Sequence, residues 1–193
     1  MNFITSEIWS FMLLIVDNGS IFTQEITKIL SNEIIEHTTI PFHKITEHDL
    51  QKFNSFILSG RRKNNQKMNA INSEIIKHVV LEKKSLLGIC YGAEILALTL
   101  GGTIRKSDNT VKGNHIVNIT EHNPLSDKDL EVYQSHNYEI AKLGKHLVSF
   151  ASSKTCNFEM IKHKSLTIFG SQFHPEMSND GKLVIQSFLK IIH

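Results

Sequence analysis

Two short stretches carry residue types that can do covalent chemistry. In LLGICYGAEIL, residues 86–96, Cys90 lies between Gly88 and Gly92, where an apolar run gives way to a helix-like pattern. The spacing G-x-C-x-G is that of a nucleophile elbow, in which small flanking residues permit a sharp turn and expose the reactive atom. A thiol at a helix N-terminus sits in positive potential, and a nearby histidine can take its proton. The amide of Tyr91, next after the thiol, would point at an oxyanion developing on the substrate. The plainer alternative is a buried cysteine at a strand end, a common place for a free cysteine.

FGSQFHPEM, residues 169–177, supplies a base and an acid. His174 and Glu176 are two apart across Pro175. Read as an extended segment, that spacing puts both side chains on one side, so Glu176 steadies the His174 ring. Spacing alone does not bring this pair to Cys90. The second cysteine, Cys156, reads as packing, and His115, His122 and His163 read as surface or loop residues.

The elements that must position these groups alternate. MLLIVDNG (12–19) is an apolar run closed by Asn-Gly and reads as a buried strand. A helix is expected over 20–33 with Ser20 as cap. EHTTIPFH (36–43) reads as a short strand, SFILSG (55–60) as a buried one, and 69–82 as a helix. SLLGIC (85–90) is a strand and GAEILALTLGG (92–102) a helix stopped by a glycine pair. Further on, TIRKS, NHIVNITE, EVYQSHNYEI, HLVSFASS, FEMIKHK and LTIFGSQFHPE read as short strands between polar turns, and 180–193 as an amphipathic helix. The pattern predicts an α/β fold, a mostly parallel central sheet flanked by helices, with an antiparallel strand section in the second half. Residues 12–193 are expected to form one domain and 1–11 a disordered extension.

Composition narrows the setting. The formal charge is +2, too near neutrality to indicate nucleic acid as a partner. The eleven histidines show no metal-ligand spacing. The apolar run at 8–16 is too short to span a bilayer and lacks the basic flank of a signal peptide. With two widely separated cysteines, a reduced, cytoplasmic setting is expected, with no membrane partner.

Taken together, LLGICYGAEILALTLGG and FGSQFHPE resemble the class I (triad) glutamine amidotransferases. LLIVDNGSIFTQEI, FILSG and VYQSHNYEI resemble further segments of that family, in the family's order. The resemblance implies the flavodoxin-like fold of that family and a Cys90–His174–Glu176 triad that hydrolyses the side-chain amide of glutamine through a thioester. It implies an oxyanion hole from amides at the Gly60–Arg61 turn and at Tyr91. It also implies that Ser135 and His136 bind the α-amino-acid end of glutamine, partly through the main chain. GICYG, the Leu-Gly-Gly and SHNYEI are closer to the GMP synthase type than to the anthranilate or aminodeoxychorismate type. The implied chain is a separate amidotransferase subunit, without a cofactor of its own, delivering ammonia to an ATP-pyrophosphatase synthetase subunit that would hold ATP and Mg. Three alternatives stand beside it: a hydrolase of another γ-glutamyl compound, a non-catalytic partner-binding relative, and a different amidotransferase subunit.

Two positions depart from the family pattern. Glu94 stands at the substrate-binding position where the family has Gln, and an ionised carboxylate accepts but cannot donate. Arg61 replaces a glycine in SGRRK, which makes a positive-φ turn less comfortable. Arg61, Arg62 and Lys63 are expected as a solvated basic tip, with contact to an acidic partner or an anionic substrate group as the alternative.

Overall fold

Consecutive apolar residues cannot alternate between core and solvent, so a strand made of them needs cover on both faces. This is the situation of β1 (Leu13–Asp17), β3 (Ser55–Leu58) and β4 (Ser85–Ile89), where Leu13–Val16, Phe56–Leu58, Leu86, Leu87 and Ile89 are fully buried. In the structure, a computed structural model that describes residues 12–193, these three strands lie side by side and parallel. The extension expected at 1–11 lies outside the described residues. β2 (His37–Pro41) flanks β1 in parallel as an edge strand, where Pro41 takes little from the ladder.

Alternate residues of β1 divide between two cores. Leu13 and Ile15 pack with α1 (Thr23–Asn32) and α5 (Asn179–Ile192) through Ile26, Leu30, Val184 and Phe188. Leu14 and Val16 join α3 (Gln66–Leu81) and α4 (Tyr91–Thr99) through Met68, Ile76, Ala93 and Leu96. Helices therefore cover both faces of the parallel strands.

The second half contributes β5 (Thr103–Ile119), β6 (Leu130–Lys142), β7 (Leu147–Ser152), β8 (Met160–His163) and β9 (Ile168–Ser171) to one sheet of order β2-β1-β3-β4-β9-β8-β7-β5-β6. β5 to β8 are antiparallel neighbours, as expected. β9 does more than close that meander: it pairs antiparallel with β8 on one side and parallel with β4 on the other.

Three local expectations need correction. TIRKS and NHIVNITE belong to one strand, β5, in which 107–110 bulge opposite Asn137 between the pairs Lys106–Tyr138 and Val111–His136. α1 starts at Thr23, and Ser20 does not cap it. Ser20 instead closes the preceding turn, its Oγ accepting from the Phe22 amide and its carbonyl from the Thr23 amide, and Ile21 is left exposed. A short helix, α2 (Glu47–Lys52), was not expected; Thr46 and Asp49 form a reciprocal capping box there, a T-x-x-D signal present in the sequence.

Candidate active site

The β4–β9 pairing sets the two chemistry-bearing segments next to each other. Ile89 is in register with Ser171, and the Cys90 amide donates to the Ser171 carbonyl at 2.7 Å. Cys90 and His174 thus both lie past the carboxyl ends of adjacent parallel strands, the usual place for a ligand in such sheets. Cys90 itself takes a positive φ of 50°, with ψ −104°, at the N-cap of α4. Neither Gly88 nor Gly92 has positive φ. Their smallness serves close approach: a Cβ on Gly88 would come within 2.6 Å of the Gly92 backbone, and one on Gly92 would run into the Leu58 carbonyl of β3. The strain of the elbow sits on the cysteine, and the glycines make room for it.

His174 is held from several sides. Its amide donates to the Tyr133 carbonyl of β6 at 2.9 Å, and its ring meets Phe22 edge-on with centroids 4.8 Å apart. Nδ1 lies 2.8 Å from Glu176 Oε1, a bond that the Nδ1 proton donates to the carboxylate. Both residues are buried. Pro175–Met177 form a 3-10 turn, so Glu176 reaches the ring by the curl of the chain and not by extended two-residue alternation. Burial disfavours the charged imidazolium. The charge and hydrogen bonding of Cys90 and the contact with Glu176 outweigh it, raising the His174 pKa well above its ordinary value.

The loop after β3 is fixed to the loop after β1. The Asn18 amide donates to Ser59 Oγ at 2.9 Å, Asn18 Nδ2 donates to the Ser59 carbonyl at 3.0 Å, and Asn72 Nδ2 donates to Asn18 Oδ1 at 2.7 Å. Gly19 and Arg61 then pair as an isolated antiparallel bridge. This brings Gly60 against His174: a Cβ there would lie 2.9 Å from Cε1. Arg61 does not have positive φ, so the expected backbone discomfort is absent. The Tyr91 amide belongs to the first turn of α4, where donors have no acceptor within the helix.

A cavity of about 500 Å³, within the usual range for small ligands, joins most of the expected residues. Cys90, Tyr91, Glu94, Arg61, Ser135, His136 and His174 line it. Arg62, Asn64, Asn137 and Tyr138 line it too, and Ser20, Ile21 and Phe22 contribute from the β1–α1 connection. Gly60 and Glu176 are not part of the lining.

The solvated-tip expectation holds for Arg62 and Lys63, which are exposed, and fails for Arg61. The Arg61 guanidinium lies 4.3 Å from the Tyr91 ring centroid, donates to Asn64 Oδ1 at 3.0 Å and approaches Glu94 Oε2 at 3.5 Å. Glu94 is buried and accepts from Gln172 Nε2 at 3.3 Å. Burial raises its pKa above the ordinary carboxylate value, and Arg61, Gln172 and His174 offset this only in part.

His136 is buried, which lowers its pKa; its Nδ1 donates to the Tyr138 carbonyl at 2.9 Å, and its Nε2 lies 3.0 Å from the Gln134 side-chain amide. Gln134 in turn donates to the fully buried Glu159 at 2.8 Å.

Sequence reasoning missed Phe22, Gln134, Gln172 and Glu159. Gln172 carries a signal, since it stands two residues before His174 in SQFHPE. Nothing local marks the others, whose neighbours come from distant strands.

A family model, glutamine amidotransferase class-I, matches residues 14–191, from the second residue of β1 to the penultimate residue of α5. The chain is 27% identical over 183 residues to a glutamine-hydrolyzing GMP synthase subunit of Picrophilus torridus, covering 92% of this chain and 97% of that protein. It is 29% identical over 192 residues to the glutamine-hydrolyzing GMP synthase of Francisella tularensis subsp. novicida, of which it spans only 36%. The crystal structure of a GMP synthase subunit from Thermoplasma acidophilum superposes with a TM-score of 0.85 at 26% identity, covering 95% of this chain and 94% of that one. With a family model matched from β1 to α5 and this fold shared over nearly the whole chain, the chain belongs to the class-I glutamine amidotransferase family.

Proposed function

We propose that this chain is the glutaminase subunit of a two-subunit GMP synthase. The observation that carries the reading is the placement of Cys90 and His174 at adjacent strand ends, opening on one cavity, with Glu176 on the far nitrogen of the ring. Nearly end-to-end similarity to proteins named as single subunits of GMP synthase supports the choice of acceptor.

In this reading Cys90 Sγ attacks the side-chain amide carbon of glutamine, and the carbonyl oxygen becomes an oxyanion facing the amides of Tyr91 and of the Gly60–Arg61 turn. His174, positively charged beside Cys90, gives its proton to the nitrogen as the C–N bond breaks, releasing ammonia and leaving a γ-glutamyl thioester. A water molecule then loses a proton to His174 and attacks the thioester. The C–S bond breaks, Cys90 departs as the thiolate beside the recharged His174, and the new γ-carboxyl releases its proton to solvent to give glutamate. Glu176 keeps the ring oriented and the imidazolium stabilised through both steps. Ser135 and His136 line the same cavity and take the α-amino-acid end in this reading. The hydrolysis balances with glutamine and water alone. ATP and Mg belong to the ATP-pyrophosphatase subunit that consumes the ammonia, and residues 12–193 act as one amidotransferase domain in the reducing cytoplasm, where Cys90 and Cys156 stay free thiols.

The test is Cys90→Ala assayed together with the synthetase partner. Glutamine-dependent GMP formation should fall to background, a loss of at least about 10⁴-fold, while synthesis from added ammonium stays intact. Loss of both activities would count against ammonia delivery as the role of this chain.

A further inference from the structure

Glu94 and Arg61 are two separate departures in the sequence; in the structure they are one feature. Glu94 begins one helical turn beyond the nucleophile, its amide donating to the Cys90 carbonyl at 3.0 Å. Its buried carboxylate is held loosely. Gln172 Nε2 is 3.3 Å from one oxygen and Arg61 Nη2 is 3.5 Å from the other, both long beside the 2.7–2.9 Å or so of a tight charge-assisted bond. A carboxylate so held keeps unused acceptor capacity in a place where unused capacity is costly.

Arg61 is in the complementary position. Its guanidinium stacks on Tyr91 and donates from Nη1 to Asn64, leaving N–H donors of its five for another acceptor. Its side chain is only 17% exposed. Both groups line the same cavity as Cys90. Arg62, His136 and His174 line it too, and among the described residues Glu94 is its only carboxylate.

Glutamine held with its amide at Cys90 carries an ammonium and a carboxylate two methylenes away. A loose cation–anion pair one helical turn from the thiol is the mirror of that zwitterion. We propose that Arg61 and Glu94 form a separable ion pair that reads the α-amino-acid end of the substrate. Glu94 accepts the α-ammonium and Arg61 donates to the α-carboxylate, the pair opening as the substrate enters. The charge balance of the cavity is the same before and after, which explains why an acid at 94 is tolerated beside a substrate carboxylate. This rests on the glutaminase reading, and it makes Arg61 and Glu94 specificity determinants of that reaction.

The experiment compares glutamine, glutamine α-amide (no carboxylate) and N-acetylglutamine (no ammonium) as substrates for the wild type, Glu94→Gln and Arg61→Met, in the presence of the synthetase partner. Arg61→Met keeps the backbone amide that faces the oxyanion. Glu94→Gln should raise KM for glutamine about tenfold with little change in kcat, and erase most of the preference for glutamine over N-acetylglutamine. Arg61→Met should do the same for the preference over the α-amide. If either single variant fails to fold, Arg61→Met/Glu94→Gln, which leaves no unpaired charge, should lose both preferences together. Turnover of glutamine with both preferences within about twofold of wild type overturns the proposal alone. A wild type that neither hydrolyses glutamine nor is labelled at Cys90 by a diazoketone analogue of glutamine overturns the glutaminase reading as well.

Discussion

At the scale of single residues, the site depends on small tolerances around one imidazole. Gly60 faces His174 so closely that a methyl group would sit 2.9 Å from Cε1, against a ring already fixed by Glu176, Phe22 and its own backbone bond. Gly60→Ala is therefore expected to shift the ring while leaving the fold intact. A displacement of this kind lowers kcat on the order of 10²-fold, read by steady-state glutaminase assay alongside an unchanged far-UV circular dichroism spectrum. Glu176 acts on the same ring electrostatically. It helps raise the His174 pKa, so the proton that the proposed mechanism passes to the departing ammonia is present below that raised value and lost as pH climbs through it. Glu176→Gln should lower kcat on the order of 10²-fold and move the alkaline limb of the kcat–pH profile to lower pH. An alkaline limb that stays in place would assign the proton to another group. The residue types of the proposed triad were legible in the sequence because each is demanded by chemistry. The Arg61–Glu94 contact was not, since it joins a loop after β3 to a helix after β4 and neither segment names the other.

At the scale of elements, β-strand and helix identities were readable from apolar runs, but their addresses were not. IFGSQFHPE reads as one more strand of a meander until β9 is placed beside β4, a pairing of distant segments that no local period encodes. The same limit hid the true role of Gly88 and Gly92, whose neighbours are each other and Leu58. Gly92→Ala drives a methyl into the Leu58 carbonyl, backbone that cannot rotate away, so it should destabilise by about 1–3 kcal/mol or more, measurable as a fall in the denaturant midpoint. The end of α1 offers the reverse case. Ile34 takes φ 57° just past the helix, a β-branched residue where glycine or asparagine is favoured, and its side chain is 91% exposed. Ile34→Asn should stabilise by about 1 kcal/mol, a rise in Tm of about 2–4 °C by thermal denaturation, with glutaminase activity unchanged.

At the scale of the whole molecule, the sheet carries a buried acid that the proposed chemistry does not use. Glu159 is fully buried, its pKa raised by burial against the bonds from Ser153 and Gln134, and one of its oxygens has no hydrogen-bond partner among the described residues. Above that raised pKa the folded protein holds an ionised carboxylate at a cost; as pH falls the folded state takes up the proton before the unfolded chain does, and the cost disappears. Glu159→Gln should therefore raise Tm by about 2–4 °C at pH 8, with the gain shrinking toward pH 5. The sheet order has a further meaning for the timing of assembly. Cys90 stands at the end of β4, while His174 follows β9, after all of β5 to β8 has been made. During synthesis from the N-terminus, β1 to β4 and their thiol exist for a long interval with no imidazole to activate it. The chain therefore defers the proposed reactivity: thiol and imidazole meet only once β9 has been made and has paired with β4, so competence to cleave an amide cannot precede that pairing.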